Sequence, residues 1–317
     1  MAELLATTNT VEECPVCGAS EFQVLSSPGH PIGVPVFGPY LHEFGIFRCS
    51  CGLEFTNPRP SHELLSSFYG SRTYDCHNMR NSALAARAAR SLLDFIERQG
   101  PFSTRKRLLD FGCGGGHFLA NAEEAGWSAI GFDIGKSAIE TCRSHQIAVT
   151  SEFSDLESGG FDVVVLSHVL EHLEEPVNLL RSLQALLAPQ GKLIIEVPNV
   201  RSARARLSVP ALSRWCGFDE RHRAFPIHLW YFTPSTLARL LQHSGFQPLV
   251  VTTTGIGLEE LIRCEPRNND AFPNHNSSRE IANRSRQSSF LRRTKKITKS
   301  AFYRMGLGEN LLVAARP

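Results

Sequence analysis

Two acids and three glycines carry the first chemistry in this chain. Asp110-Phe111-Gly112-Cys113-Gly114-Gly115-Gly116 follows the apolar pair Leu108-Leu109 and runs into His117-Phe118. That order reads as a buried strand ending in an acid, a glycine-dense turn and the first turn of a helix. Glycines there allow positive φ and let backbone approach a ligand where a Cβ would collide. A dinucleotide fingerprint needs glycine where His117 stands, so the G-x-G-x-x-G count fails. An ordinary tight βα turn remains open on these residues alone. Asp133 ends the next apolar run, and a carboxylate at a strand tip can accept hydrogen bonds from both hydroxyls of a ribose.

Histidines and cysteines supply the rest. His168 and His172, in Ser167-His168-Val169-Leu170-Glu171-His172, are spaced to share one face if the segment is helical. Such a pair suits a general base with a structural partner, or a metal. The order is not H-E-x-x-H, so a zinc-protease reading fails. Of nine cysteines only four cluster: Cys14 and Cys17, then Cys49 and Cys51. In a reducing compartment that pattern points to metal rather than disulfides, and four thiolates so arranged would close a tetrahedral structural zinc site. The second pair is C-x-C, so either its turn tolerates the short spacing or a histidine such as His30 or His42 replaces Cys49.

The elements that must position these groups follow an alternating rhythm. Strands are expected at 107–111, 128–133, 147–150, 161–166 and 192–197, with helices at 117–125, 137–145 and 176–187 between them. The run Phe161–Leu166 is apolar almost throughout, as in a parallel strand buried on both faces. This alternation predicts an α/β, doubly wound open sheet with ligands beyond the carboxyl ends of its strands. A helix over 234–245 and strands at 246–253 and 310–315 complete it. Upstream, 81–96 reads as an amphipathic helix capped by Ser82 and closed by Gly100-Pro101. The expected division is 1–70, a cysteine-bearing segment; 71–104, a helical connector; and 105–317, the main domain, with an insertion at 255–309 that is basic from Arg279 to Arg304.

The spacing Asp110-x-Gly112-x-Gly114-x-Gly116 resembles the nucleotide-binding motif of class I S-adenosylmethionine-dependent methyltransferases. Cys14-Pro15-Val16-Cys17-Gly18, the second cysteine pair and the exit Phe55-Thr56-Asn57-Pro58-Arg59-Pro60 resemble the zinc ribbon that precedes many such domains. The likeness covers about residues 10–255 plus the last strand. It implies a Rossmann-like seven-stranded sheet with a small zinc ribbon, S-adenosylmethionine as cofactor and a structural zinc. By the same resemblance Asp133 holds the cofactor's ribose and Asp110 faces its methionine end. Gly112, Cys113, Gly114, Gly116 and Ile134 line it, Asp155 serves the adenine side, and Ser167 and His168 reach the methionine end. Ser167–Pro176 resembles the segment after strand four in small-molecule methyltransferases of the ubiquinone-biosynthesis type, and Arg221–Thr233 resembles the family's substrate wall. His168, His172 and His228 are thus the candidate catalytic residues, with a capped, packed aromatic corner as the alternative for His228.

Absences narrow the acceptor. No Asn/Asp-Pro-Pro-Tyr tetrad follows strand four, which disfavours nucleobase amine methylation, and Pro198-Asn199 stands where a cytosine-modifying enzyme would carry Pro-Cys. A net charge of +2 says little about partners. No apolar run is long enough to span a bilayer and the first residues lack a signal-peptide pattern, so a cytoplasmic location is expected. The reading that results is methyl transfer, in the first place O-methylation, to a small molecule, sugar nucleotide or glycan precursor. Two rivals stay open: an RNA methyltransferase that uses the ribbon and basic insertion to hold phosphates, and a scaffold that binds the cofactor without turnover.

Overall fold

A computed structural model describes residues 10–26, 43–61, 63–65, 83–207, 226–255, 303 and 305–317. Five strands, β4 (Arg107–Phe111), β5 (Ser128–Phe132), β6 (Val149–Thr150), β7 (Phe161–Ser167) and β8 (Leu187–Pro198), run parallel in the main sheet. Two more, β10 (Gln247–Thr254) and β11 (Asn310–Arg316), extend it, in the order β10-β11-β8-β7-β4-β5-β6. The last strand β11 is antiparallel to both neighbours. Chain order reverses between β4 and β7, so the crevice beyond their carboxyl ends is the expected ligand position.

The strands are apolar on both faces because both faces are covered. Leu108, Val163, Val165, Ile194 and Leu312 point into one core with α1 (Ala83–Glu97), α2 (His117–Glu124) and α3 (Lys136–Ser144). Their alternates Leu109, Val164, Leu166, Ile195 and Val313 face α4 (Pro176–Gln184) and α6 (Pro234–His243). A short α5 (Ala203–Leu207) follows β8. Thr233 caps α6 by accepting from the Thr236 amide at 3.2 Å, which fixes where the preceding aromatic segment ends.

Strand β8 is longer than expected. Pro189-Gln190-Gly191 reads as a turn, yet the strand runs through it: Phe161 pairs with Leu187 and Val163 with Lys192, so three extra residues on β8 bulge outward. Exposed Pro189 and Gln190 occupy the excursion, and pairing resumes on either side of it.

A second sheet, β1 (Phe22–Ser26), β2 (Gly45–Cys49), β3 (Glu54–Asn57) and β9 (Trp230–Tyr231), belongs to the cysteine-bearing segment. Its fourth strand comes from beyond residue 225, paired as Phe55 with Trp230 and Glu54 with Tyr231. Val11, Cys14, Leu53 and Phe55 join the same apolar cluster as α4 and α6. Ribbon and main sheet therefore share a core. His30, His42, Ser82, Arg221–Phe225 and the basic stretch Arg279–Lys299 lie outside the described residues.

Candidate functional site

The glycine turn after β4 is built as its composition suggests. Gly112 has φ 81°, and a Cβ there would sit 2.4 Å from Val169 Cγ2. Gly116 has φ 74°, and a Cβ would meet Ile147 and the Cys142 sulfur at 2.8 and 2.9 Å. Any side chain would strain the backbone and displace packed atoms. The loop is tied to β5: the Gly112 amide donates to the Phe132 carbonyl at 2.7 Å, and the Gly114 amide donates to Asp133 Oδ2 at 2.8 Å. Asp133 Oδ1 accepts from the Gly135 amide, also at 2.8 Å. Each oxygen accepts one of these bonds and retains the capacity to accept another.

Asp110 is 3% exposed at the end of β4. Burial, reinforced by the charge of Asp133, pushes its carboxyl up to about 7. Cys113 turns its thiol inward: the sulfur packs into the core beside Cys142 and Gly114 O, and the neighbouring thiol together with burial pushes its pKa up. Ile134 is 81% exposed next to Asp133. Asp155 is exposed and accepts from Thr150 Oγ1 at 2.7 Å. Phe153 stands near it, edge-on to the stacked Phe111 and Phe132 rings.

Across the switch point, Ser167 ends β7 and donates to Glu196 Oε2 at 3.2 Å. His168 takes φ 56°, and only Leu170–His172 form a turn, of 3-10 type. The i, i+4 helical face expected for His168 and His172 is therefore not formed. The left-handed residue redirects the chain before the turn begins, and Glu171 comes to lie between the histidines. Glu171 is 1% exposed, its oxygens accept no hydrogen bond among the described residues, and Oε1 lies 3.4 Å from His168 Nδ1.

His172 Nδ1 lies 3.1 Å from the Ile227 carbonyl. A carbonyl only accepts, so Nδ1 carries the proton and Nε2 is the acceptor in the neutral ring. The His172 and His228 rings meet edge to face at 4.7 Å, and ligand atoms of Glu171, His172 and His228 lie within 4.8 Å of one another. His228 is 8% exposed. Its carbonyl accepts from Thr56 Oγ1 at 2.8 Å, while the Leu229 amide donates to the Glu171 carbonyl. The segment is a packed aromatic corner leading into a capped helix, and it places His228 beside His172 and Glu171.

The electrostatics follow from Glu171. Burial opposes its charge, but the imidazoles of His168, His172 and His228 outweigh that and hold it down at about 2. Crowding likewise opposes charging of His168, yet the ion pair with Glu171 and the charge of Glu196 lift it to about 9. With 47% of its side chain exposed, His168 is partly screened by water. It is an imidazolium at neutral pH. Glu171 is the member of this group that the sequence did not single out; its one signal is an acid inside the apolar run Val169-Leu170-Glu171-His172-Leu173.

The cysteines converge as expected. One sulfur atom from each of Cys14, Cys17, Cys49 and Cys51 lies within 4.8 Å of the others, with Cys14 to Cys51 at 3.7 Å and Cys17 to Cys49 at 3.4 Å. The edge of a tetrahedron with Zn–S bonds of about 2.3 Å is about 3.8 Å. The short C-x-C spacing is accommodated by the turn. Gly18 donates back to the Cys14 carbonyl four residues earlier, whereas Gly52 donates to the Cys49 carbonyl three residues earlier. The second knuckle closes one residue sooner and still brings both sulfurs round.

Comparison with known proteins gives a family match. The family description of a methyltransferase domain matches residues 84–251, more than half of the chain. A ubiquinone biosynthesis O-methyltransferase of Chromobacterium violaceum is 25% identical over 193 residues, covering 58% of this chain and 81% of that protein. The Vibrio parahaemolyticus protein of the same name is 31% identical over 104 residues, 30% of this chain and 44% of its own. The crystal structure of a SAM-dependent methyltransferase from Archaeoglobus fulgidus aligns at 22% identity with a TM-score of 0.46, over 81% of this chain and all of that one. The acid-led glycine turn at the switch point and the family match agree: this chain belongs to the methyltransferase-domain family and is an S-adenosylmethionine-dependent methyltransferase.

Proposed function

We propose that the protein transfers a methyl group to a hydroxyl of a small molecule, with His172 as general base. The carrying observation is the orientation of the His172 ring: Nδ1 lies 3.1 Å from the Ile227 carbonyl, which leaves Nε2 as the nitrogen that can take up a proton. Bound S-adenosylmethionine supplies an electrophilic methyl on a sulfonium. An acceptor hydroxyl placed beside the cofactor would take that methyl group, and His172 Nε2 would receive the hydroxyl proton. Much of the acceleration comes from alignment, and a base helps because the acceptor is a weak acid. His168, as an imidazolium, offers a fixed donor to acceptor oxygens, and His228 buttresses the His172 ring. The relatives named as O-methyltransferases favour oxygen as the acceptor atom. The test is transfer from methyl-labelled cofactor to panels of catechols, sugar nucleotides and RNA. Label appearing as a methyl ether on a small molecule supports the reading, and label in RNA alone overturns it.

Asp133 then holds the ribose and Asp110 the methionine ammonium, with the loop Gly112–Gly116 beneath the cofactor, Ile134 beside the ribose acid, and Asp155 and Ser167 at the adenine and methionine ends. A pH dependence follows from Asp110. Its carboxyl titrates near 7 before the cofactor binds, and an ammonium requires the carboxylate. Affinity for S-adenosylhomocysteine should therefore rise with pH, by up to about tenfold per unit below pH 7, and level off above it. Calorimetric titration from pH 5.5 to 8.5 checks this, and Asp110→Asn should bind weakly with no such slope.

We further propose that Cys14, Cys17, Cys49 and Cys51 hold a structural zinc. Thr56 of the ribbon hydrogen-bonds the His228 carbonyl, so the metal would stabilise the candidate active site as well as the knuckles. One equivalent of zinc by elemental analysis is expected. Stripping it should lower the melting temperature by roughly 10 °C or more and depress turnover. Less than half an equivalent in protein purified without chelator would reject the site.

A further inference from the structure

Arg59, in the exit motif Asn57-Pro58-Arg59-Pro60, has no part in the methyl-transfer reading. It is 8% exposed, with its guanidinium carbon 5.0 Å from the centre of the Trp230 ring. Among the described residues it donates no hydrogen bond and makes no ion pair, and its Nε is shut off from solvent with no partner. A guanidinium carries five N–H donors; here Nε is the one shut off from solvent without a partner, and a buried cation with so few polar partners is costly unless something else accepts from it.

The group lines a cleft of about 360 Å³ between the first cysteine knuckle and the start of α4. Glu13, Glu174, Glu175 and His243 line it with Arg59. Burial lowers the Arg59 pKa, and the charges of Glu174 and Glu175 pull it back. The Trp230 indole is itself fixed, donating to the Leu173 carbonyl at 2.6 Å. A buried cation, stacked on a fixed indole, thus shares a cleft with three carboxylates. A planar oxyanion satisfies the guanidinium fork in bidentate fashion, but a bare anion would be repelled by those carboxylates. The ligand that meets both demands pairs a carboxylate with an ammonium.

We infer that this cleft is a second binding site, for the α-amino-acid end of a small zwitterion, with Arg59 on the carboxylate and Glu174 and Glu175 on the ammonium. The site is independent of which acceptor is methylated. It lies where ribbon and main sheet meet, so its occupant bridges the two.

The test titrates the full-length protein with S-adenosylhomocysteine held at a concentration that fills the cofactor pocket but stays well below the millimolar range expected for the cleft, so that the cofactor pocket is closed to the probe and the cleft is not. The probes are glycine, acetate and inorganic phosphate, followed by calorimetry. Glycine is expected to bind one site in about the millimolar range, at least about tenfold tighter than acetate or phosphate. Arg59→Lys, which keeps the charge and loses the fork, should cost about tenfold, and Arg59→Met should abolish binding. The paired change Glu174→Gln, Glu175→Gln should reduce glycine to the level of acetate. S-adenosylhomocysteine affinity should be the same in every variant. Glycine binding no tighter than acetate, phosphate binding tightest, or Arg59→Lys binding glycine as the parent does would each overturn the inference. If Arg59→Met does not fold, the lysine variant and the glutamine pair decide.

Discussion

Replacing Asp133 by alanine is expected to weaken S-adenosylmethionine binding on the order of 100-fold, while the protein still folds. Two losses combine. The carboxylate would no longer accept from the ribose hydroxyls, and charge-assisted hydrogen bonds of that kind contribute roughly 1.5–3 kcal/mol each. The Gly114 amide would also lose its tether, because Asp133 Oδ2 accepts from it at 2.8 Å. The loop would then wander from the position in which its backbone passes under the cofactor. Asp133→Asn separates the two effects. It keeps one oxygen, enough to accept from Gly114 or from a hydroxyl but without charge, and should cost about tenfold. Titration with cofactor analogues lacking a ribose hydroxyl completes a cycle: removing the hydroxyl should cost the parent protein heavily and Asp133→Ala almost nothing. Equal costs in both proteins would show that Asp133 only holds the loop.

What the sequence made legible here was local and periodic. β4, β7 and α4 start where the apolar runs and Pro176 place them, because a strand buried on both faces has little freedom to be anything else. The acid-led glycine turn was legible for a similar reason: φ values near 80° at Gly112 and the 2.4 Å approach to Val169 admit no other residue. Features that depend on partners distant in sequence were not legible. Strand β9 is two residues long and exists because β3 needs an edge. The β8 bulge hides a strand inside Pro189-Gln190-Gly191, which has the composition of a turn. Glu171 is an acid in an apolar run, and the histidines that surround it in its buried position come from two segments. The burial of Arg59 likewise depends on Trp230, 171 positions later, which lies against it.

Glu171→Gln should lower turnover on the order of 100-fold with S-adenosylhomocysteine affinity nearly unchanged. It should also flatten the dependence of stability on pH. The second expectation separates an electrostatic role from mere packing, since glutamine keeps the shape. In the parent protein His168 titrates near 9 when folded, against about 6.5 when unfolded. Its contribution is full below about pH 6.5 and is lost as pH rises through 9. Glu171 titrates near 2 when folded, against 4.5 as a free side chain, so its contribution is full above about 4.5 and fades as pH falls toward 2. Stability from this pair therefore peaks between about pH 4.5 and 6.5 and declines on both sides. In Glu171→Gln the acid limb disappears with the carboxyl. The alkaline limb shrinks because His168 falls back toward its ordinary range, which imidazole NMR titration would read directly. The level of stability near pH 5.5 is a poorer readout. Removing a buried carboxylate that accepts no hydrogen bond relieves a desolvation cost while it breaks the pairing, and the two partly cancel. The slope carries the decision: an unchanged alkaline slope with an unchanged His168 titration would mean that Glu171 does not set the charge of His168, and the base assignment built around a charged His168 would go with it.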